Sequence, residues 1–173
     1  SNDSLKKLFP ENISPLTTMR NAISTIFQKQ LTTAIENGMS YSEAVIRIHD
    51  NDDSVHLHRD NSNFEMSDYN VSNLKNQLSA ILYLQSPEQG GELTIYHKLW
   101  NKKDECMREP NFGYSSALIE DVHKTKILPT EGNMVLLNPK FFIPLAHAPM
   151  FSESCGLCKI NVILFFNINY LMP

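Results

Sequence analysis

The segment Val55-His56-Leu57-His58-Arg59-Asp60 sets an imidazole and a carboxylate two positions apart, and an isolated histidine, His147, follows late in the chain. Two histidines and one carboxylate form the facial ligand set of mononuclear non-haem iron(II), in which three positions stay open for a co-substrate and dioxygen. His58 and Asp60 are at i and i+2, so on an extended strand end both side chains share one side of the sheet. The spacing leaves a second possibility open. His56 has the same parity as His58, and His56 with His58 gives a His-x-His cupin pattern. Cupins place a glutamate four or five residues on, where this chain has Ser62 and Asn63. His49, His97 and His123 have no carboxylate at i+2 and read as surface or packing histidines.

A scaffold must bring these groups together. Ser14-Pro15 is a helix start, and Leu16, Met19, Ile23, Ile26, Phe27, Leu31, Ala34 and Ile35 follow at steps of three and four, with Asn37-Gly38 as the stop. From residue 42 the period becomes that of strands: Ala44–His49, the histidine block 54–60, Leu78–Leu84, Glu92–Tyr96, Lys124–Leu128, Asn133–Asn138 and Lys159–Phe166. Pro139 to Leu145 reads as a connector to His147. The polar stretches 61–76 and 97–116 are the expected lids. One helix followed by about eight short strands predicts a mainly β domain, a double-stranded β-helix or jelly roll. The expectation is a single domain over 1–173, with an arm and supporting helix in 1–41 and the jelly-roll core in 42–167.

Composition bounds the partners. The chain has 173 residues, 42% hydrophobic and 20% charged, with net charge −4 from 15 basic and 19 acidic groups. No basic run interleaves with aromatics, which argues against nucleic acid. No apolar stretch is long enough to span a bilayer, and no signal peptide is read at the start, so the expectation is a cytoplasmic protein without membrane partners. Three cysteines argue against a disulfide scaffold. Cys155 and Cys158 have the spacing of half a zinc knuckle whose other half is missing. Asp50–Asp53 lacks the glutamate that would complete an EF-hand loop and reads as a solvated turn.

Set in order, His58-Arg59-Asp60, Tyr83-Leu84-Gln85, Gly90-Gly91-Glu92-Leu93, Glu131 to Leu136 and His147 resemble the prolyl-4-hydroxylase-like branch of the iron(II)/2-oxoglutarate dioxygenases over about residues 43–167. The resemblance implies that His58, Asp60 and His147 bind iron(II), and that Lys159 pairs with the distal carboxylate of 2-oxoglutarate. It further implies that Tyr83 hydrogen-bonds this co-substrate and that Asn161 lines the same pocket. Ascorbate is a possible reductant. The implied reaction is hydroxylation of an unactivated C–H bond in an amino acid, a prolyl residue or a small metabolite, with dioxygen consumed and succinate and carbon dioxide released. This chain departs from the family at Lys159, where many members have arginine, at Gln85 for asparagine, and at His49, where a tyrosine is common. Related halogenases replace the carboxylate by a small residue to admit chloride; Asp60 fills that position here. The competing readings are a cupin-type metal enzyme that does not use 2-oxoglutarate and a non-catalytic jelly-roll binding module.

Overall fold

The computed structural model describes residues 14–49, 55–74, 76–87, 90–110, 113–145 and 159–166, with Lys7 and Phe9; His49, Leu145 and 159–166 are described by backbone alone. His147, Cys155, Cys158 and the turn 50–53 lie outside the described residues. Helix α1 (Pro15–Phe27) starts as read, with Ser14 extended at the N-cap and proline in the first turn. It ends eight residues earlier than the apolar spacing predicts, at Gln28, which takes the left-handed conformation with φ 51°. The chain then forms a small hairpin of β1 (Ile35–Glu36) and β2 (Met39–Ser40). Asn37 and Gly38, at φ 51° and 76°, are its two-residue turn rather than a helix stop.

Among the described residues, eight further strands make two four-stranded sheets. The first has the order β3 (Val45–His49), β10 (Lys159–Phe166), β5 (Leu78–Tyr83), β8 (Met134–Leu137). The second has the order β4 (Val55–His58), β9 (Phe141–Leu145), β6 (Leu93–Leu99), β7 (Lys124–Ile127). Every pairing is antiparallel. Strands distant in sequence are neighbours, as in a jelly roll. Residues 141–145, read from sequence as a connector, are instead a central strand.

The alternation of β5 separates the layers. Leu78, Ala80 and Leu82 pack with Met19 and Ile23 of α1 on the outside of the first sheet. Ile81 and Tyr83 face between the sheets, with Leu93, Leu137 and Ile143. On the far side, Leu57 and Phe142 are covered by Tyr114, Trp100, Leu118 and Ile119. Much of the 97–116 stretch is therefore not a lid. Its start completes β6, and Lys102–Met107 forms a 3-10 turn in the outer cover of the second sheet.

Candidate metal centre

The corner that carries His58 and Asp60 is irregular by construction. The register between β4 and β9 shifts between Val55 and His58, so Leu57 belongs to the outer cluster while His58 is also buried. The two histidines differ in their surroundings. His56 is exposed and lies against Gly113, where an added Cβ would stand 2.9 Å from the His56 Cβ and from the Leu57 carbonyl. Only glycine, here at φ +107°, lets the cover come this close. Tyr114 N–H then bonds the Leu57 carbonyl at 2.8 Å.

What His56 gives His58 is its backbone. The His56 carbonyl is 2.8 Å from His58 Nδ1 and can only accept, so the neutral ring carries its proton on Nδ1 and its lone pair on Nε2. His58 Nε2 stands 3.7 Å from Asp60 Oδ1. That is beyond a hydrogen bond, and near enough for both groups to reach one ion after a small adjustment of side chains. A borderline nitrogen and a hard carboxylate oxygen, with the ring oriented by a carbonyl, fit a ferrous ion. Among the described residues no third histidine, cysteine or acid joins the pair. Ile143 lies opposite His58 and Leu145 opposite Val55, so β9 runs from the His58 end of β4 toward its start.

The corner is tied down on several sides. Asp60 N–H bonds the Pro139 carbonyl at 3.2 Å. Gln77 Nε2 donates to the Asp60 carbonyl at 2.9 Å, and Gln77 Oε1 accepts from both N–H and hydroxyl of Ser62. Arg59, between His58 and Asp60, faces the outer cover and is 3% exposed. Its guanidinium donates to Tyr114 Oη, the Asn61 carbonyl and Glu105, and pairs with Glu65 at 3.2 Å. It stacks 4.0 Å from the Trp100 ring centroid. Burial alone would push the Glu105 carboxyl up, but bonds from Tyr114, Trp100, Arg59 and Arg108 hold it below the usual carboxylate range. Sequence reasoning passed over Arg59. The signal was present, since a residue between two that share one side of a strand must face the other, and the aromatics of 97–116 were the material to receive it.

The remaining expected residues are placed less completely. Tyr83 is 1% exposed and its hydroxyl has no partner among the described residues; burial pushes its pKa up to about 12. It sits directly across from Asn161, and Lys159 begins the same strand opposite His49. His97 and His123 are exposed and touch each other edge to face at 4.5 Å, away from the pair. Cys106 is exposed. Among the described residues no helix is long and apolar enough to cross a membrane.

Antiparallel β3-β10-β5-β8 and β4-β9-β6-β7 sheets, with His-x-Asp where β4 ends, define a jelly-roll protein of the iron(II)/2-oxoglutarate oxygenase superfamily. The chain belongs to the family described as carrier-protein-independent halogenase WelO5, whose model matches residues 2–143. The match takes in His58 and Asp60 and stops short of His147. Iron(II) and 2-oxoglutarate are the metal and co-substrate that go with this family. A curated relative, leucinostatins biosynthesis cluster protein S of Purpureocillium lilacinum, is 30% identical over 113 residues, 63% of this chain and 45% of that protein. The crystal structure of an N-substituted L-amino acid dioxygenase from Burkholderia ambifaria AMMD superposes with a TM-score of 0.61 at 17% identity, over 95% of this chain and 61% of that one. The same enzyme in complex with α-ketoglutarate gives 0.57 at 16% identity, over 85% and 57% of the two chains. The chain thus spans about half to three fifths of the length of these relatives. The prolyl-4-hydroxylase-like branch gains no support from the matches.

Proposed function

We propose that this protein is an oxygenase that hydroxylates a C–H bond of a small molecule or an amino-acid derivative, and that it does not halogenate. The observation that carries this is Asp60, whose carboxylate stands beside the lone-pair nitrogen of His58. A halide ligand needs that position empty. In this reading His58, Asp60 and His147 hold iron(II), and Asp60 cancels one of its two charges. When bound, iron(II) with 2-oxoglutarate and dioxygen supplies the oxidation that converts C–H to C–OH, the co-substrate leaving as succinate and carbon dioxide.

The chain's own residues do the rest. Lys159 would pair with the distal carboxylate of 2-oxoglutarate, because a buried carboxylate needs a cation. The orphaned hydroxyl of Tyr83 supports its role as a donor to the same molecule, since burying an unbonded hydroxyl costs about 1–3 kcal/mol. Asn161, across from Tyr83, would border that pocket. His58 is kept in one tautomer by the His56 carbonyl, and the Arg59 network fixes the backbone between the two ligands.

The test is aerobic turnover with iron(II), 2-oxoglutarate and a panel of amino-acid amides and peptides in bromide-containing buffer, read by mass spectrometry. Hydroxylated product with stoichiometric succinate is expected from the wild type, and none from Asp60→Gly. A brominated product from the wild type refutes the proposal. Full activity in Asp60→Ala points to the cupin-type chemistry instead.

A further inference from the structure

A cavity of about 430 Å³ opens beside Asp60. One wall is the 31–45 strap with Arg20 of α1; the other is the segment 59–77. The volume is in the range that takes a drug-sized molecule. Its lining includes Leu31, Ala34, Val45, Met66 and Val71.

The charges on its walls are already spent on one another. Arg20 pairs with Glu43 at 3.1 Å and donates to Thr33, whose hydroxyl also bonds Glu43. Arg59 pairs with Glu65 and Glu105. Apart from Asp60, the lining thus holds two cations and two acids, each cation facing an acid. A ligand carboxylate or ammonium would have to share a partner already engaged in one of these pairs. The hydroxyls of Ser42 and Ser62 are bonded within the protein as well.

One group stands apart. Asn61, next in chain to Asp60, is 1% exposed, lines the cavity, and has a side-chain Nδ2 without a partner among the described residues. Buried amide donors are ordinarily satisfied.

We infer that this cavity is the substrate site and that it takes an uncharged, largely apolar molecule, an amide or capped peptide, whose carbonyl oxygen accepts from Asn61 Nδ2. The inference rests on the oxygenase reading for the meaning of Asp60 as a metal ligand at the cavity's edge. It is narrower than that reading, because it excludes free amino acids with their two charges.

The experiment compares three probes of one size: N-acetyl-leucyl-leucine methylamide, its free acid, and leucyl-leucine methylamide with a free amine. Binding is measured by calorimetry under nitrogen, with and without iron(II) and 2-oxoglutarate, so that no turnover is needed. The neutral probe is expected to bind at least ten-fold tighter than either charged one. Asn61→Ala should weaken the neutral probe about ten-fold, the value of one buried hydrogen bond. Ala34→Phe, which fills the cavity from the strap, should abolish its binding while 2-oxoglutarate binding is kept; this variant decides if Asn61→Ala does not fold. Equal affinity for the three probes, tighter binding of a charged one, or an affinity indifferent to folded Asn61→Ala or to Ala34→Phe overturns the inference. Iron and co-substrate binding without probe binding sinks the cavity assignment alone. Probe binding without iron binding supports the cavity and sinks the oxygenase reading.

Discussion

Replacing Arg59 by methionine should test how the metal corner is held. The side chain is fully buried, so its cation is compensated only by the protein. The change deletes three hydrogen bonds, to Tyr114, to the Asn61 carbonyl and to Glu105, and the pair with Glu65. It also removes the stacking on Trp100, which contributes about 1–2 kcal/mol in a desolvated site. Breaking a buried pair by removing one partner costs about 3–5 kcal/mol where the other charge is stranded. Here the acids are not stranded: Arg108 still reaches both Glu65 and Glu105, and Trp100 and Tyr114 still donate to Glu105. Methionine also keeps part of the apolar stem. The expected loss is therefore at the low end, about 3 kcal/mol, or roughly 6–12 °C in Tm for a domain of this size. Arg59→Lys should recover only part of it, because an ammonium cannot make the guanidinium's fork. Urea unfolding of the metal-free protein measures the loss, and a double-mutant cycle with Glu105→Gln should show coupling of about 1–2 kcal/mol. Iron(II) affinity, read by equilibrium dialysis on folded protein, should fall with Arg59→Met if both neighbours are ligands, as proposed. If Arg59→Met unfolds within about 1 kcal/mol of the wild type and binds iron unchanged, the network does not position the corner.

Further outcomes follow from the same geometry. Glu105 is held below its ordinary value near 4.5, so its contribution is present above that pH and lost as pH falls through the lower folded value; Glu105→Gln should remove this part of the acid destabilisation in a pH series of unfolding curves. Tyr83→Phe should leave stability unchanged or raise it by up to about 1 kcal/mol, because no described group satisfies the hydroxyl, yet weaken 2-oxoglutarate binding about five- to ten-fold; an unaltered affinity removes Tyr83 from the co-substrate site. Gly113→Ala meets backbone at 2.9 Å in a left-handed conformation and should cost about 2–4 kcal/mol in thermal unfolding; a cost under 1 kcal/mol means that the cover does not need its close approach. His147→Ala should lower iron(II) affinity by at least about ten-fold while His97→Ala does not; equal affinities would place the third ligand elsewhere.

Among the described residues, seven of the eight sheet strands were legible because each carries its own signature; β9 was not. Leu78 to Tyr83 alternates between a face for α1 and a face for the inter-sheet core, and the sequence shows that period directly. The errors have physical causes. Leu31 packs into the same cluster as Met19 and Ile23, but from an irregular strap, so it mimics another helical turn. Residues 141–145 contain Pro144, which cannot donate to a ladder and so reads as a break. The structure accommodates it opposite the shifted register of β4, between Leu145, opposite Val55, and Ile143, opposite His58. The proline and the metal corner thus share one irregularity. His58 and Asp60 were legible as a pair, because ligand types at i and i+2 are local information. Arg59, Asn61 and the cavity walls were not, because they depend on which distant segments arrive: Tyr114 lies 55 residues from Arg59.

Membership in a halogenase family and the presence of Asp60 pull in different directions, and the fold shows how both can hold. The family's features in residues 2–143 are mainly scaffold: α1, the strap, the sheets and the outer cover. In the proposed reading the choice between transferring hydroxyl and transferring halide turns on the side chain two residues after His58, since a carboxylate there would take the position and the negative charge that a halide would supply. Nothing in the cover or the strap has to change for that choice to change. Arg59 and Asn61, the residues flanking position 60, are held by their own bonds to Tyr114, Glu105 and one another rather than by the Asp60 carboxylate. Removing that carboxylate should therefore leave the corner folded, which makes position 60 separable from the frame around it and makes Asp60→Gly a test of chemistry rather than of stability.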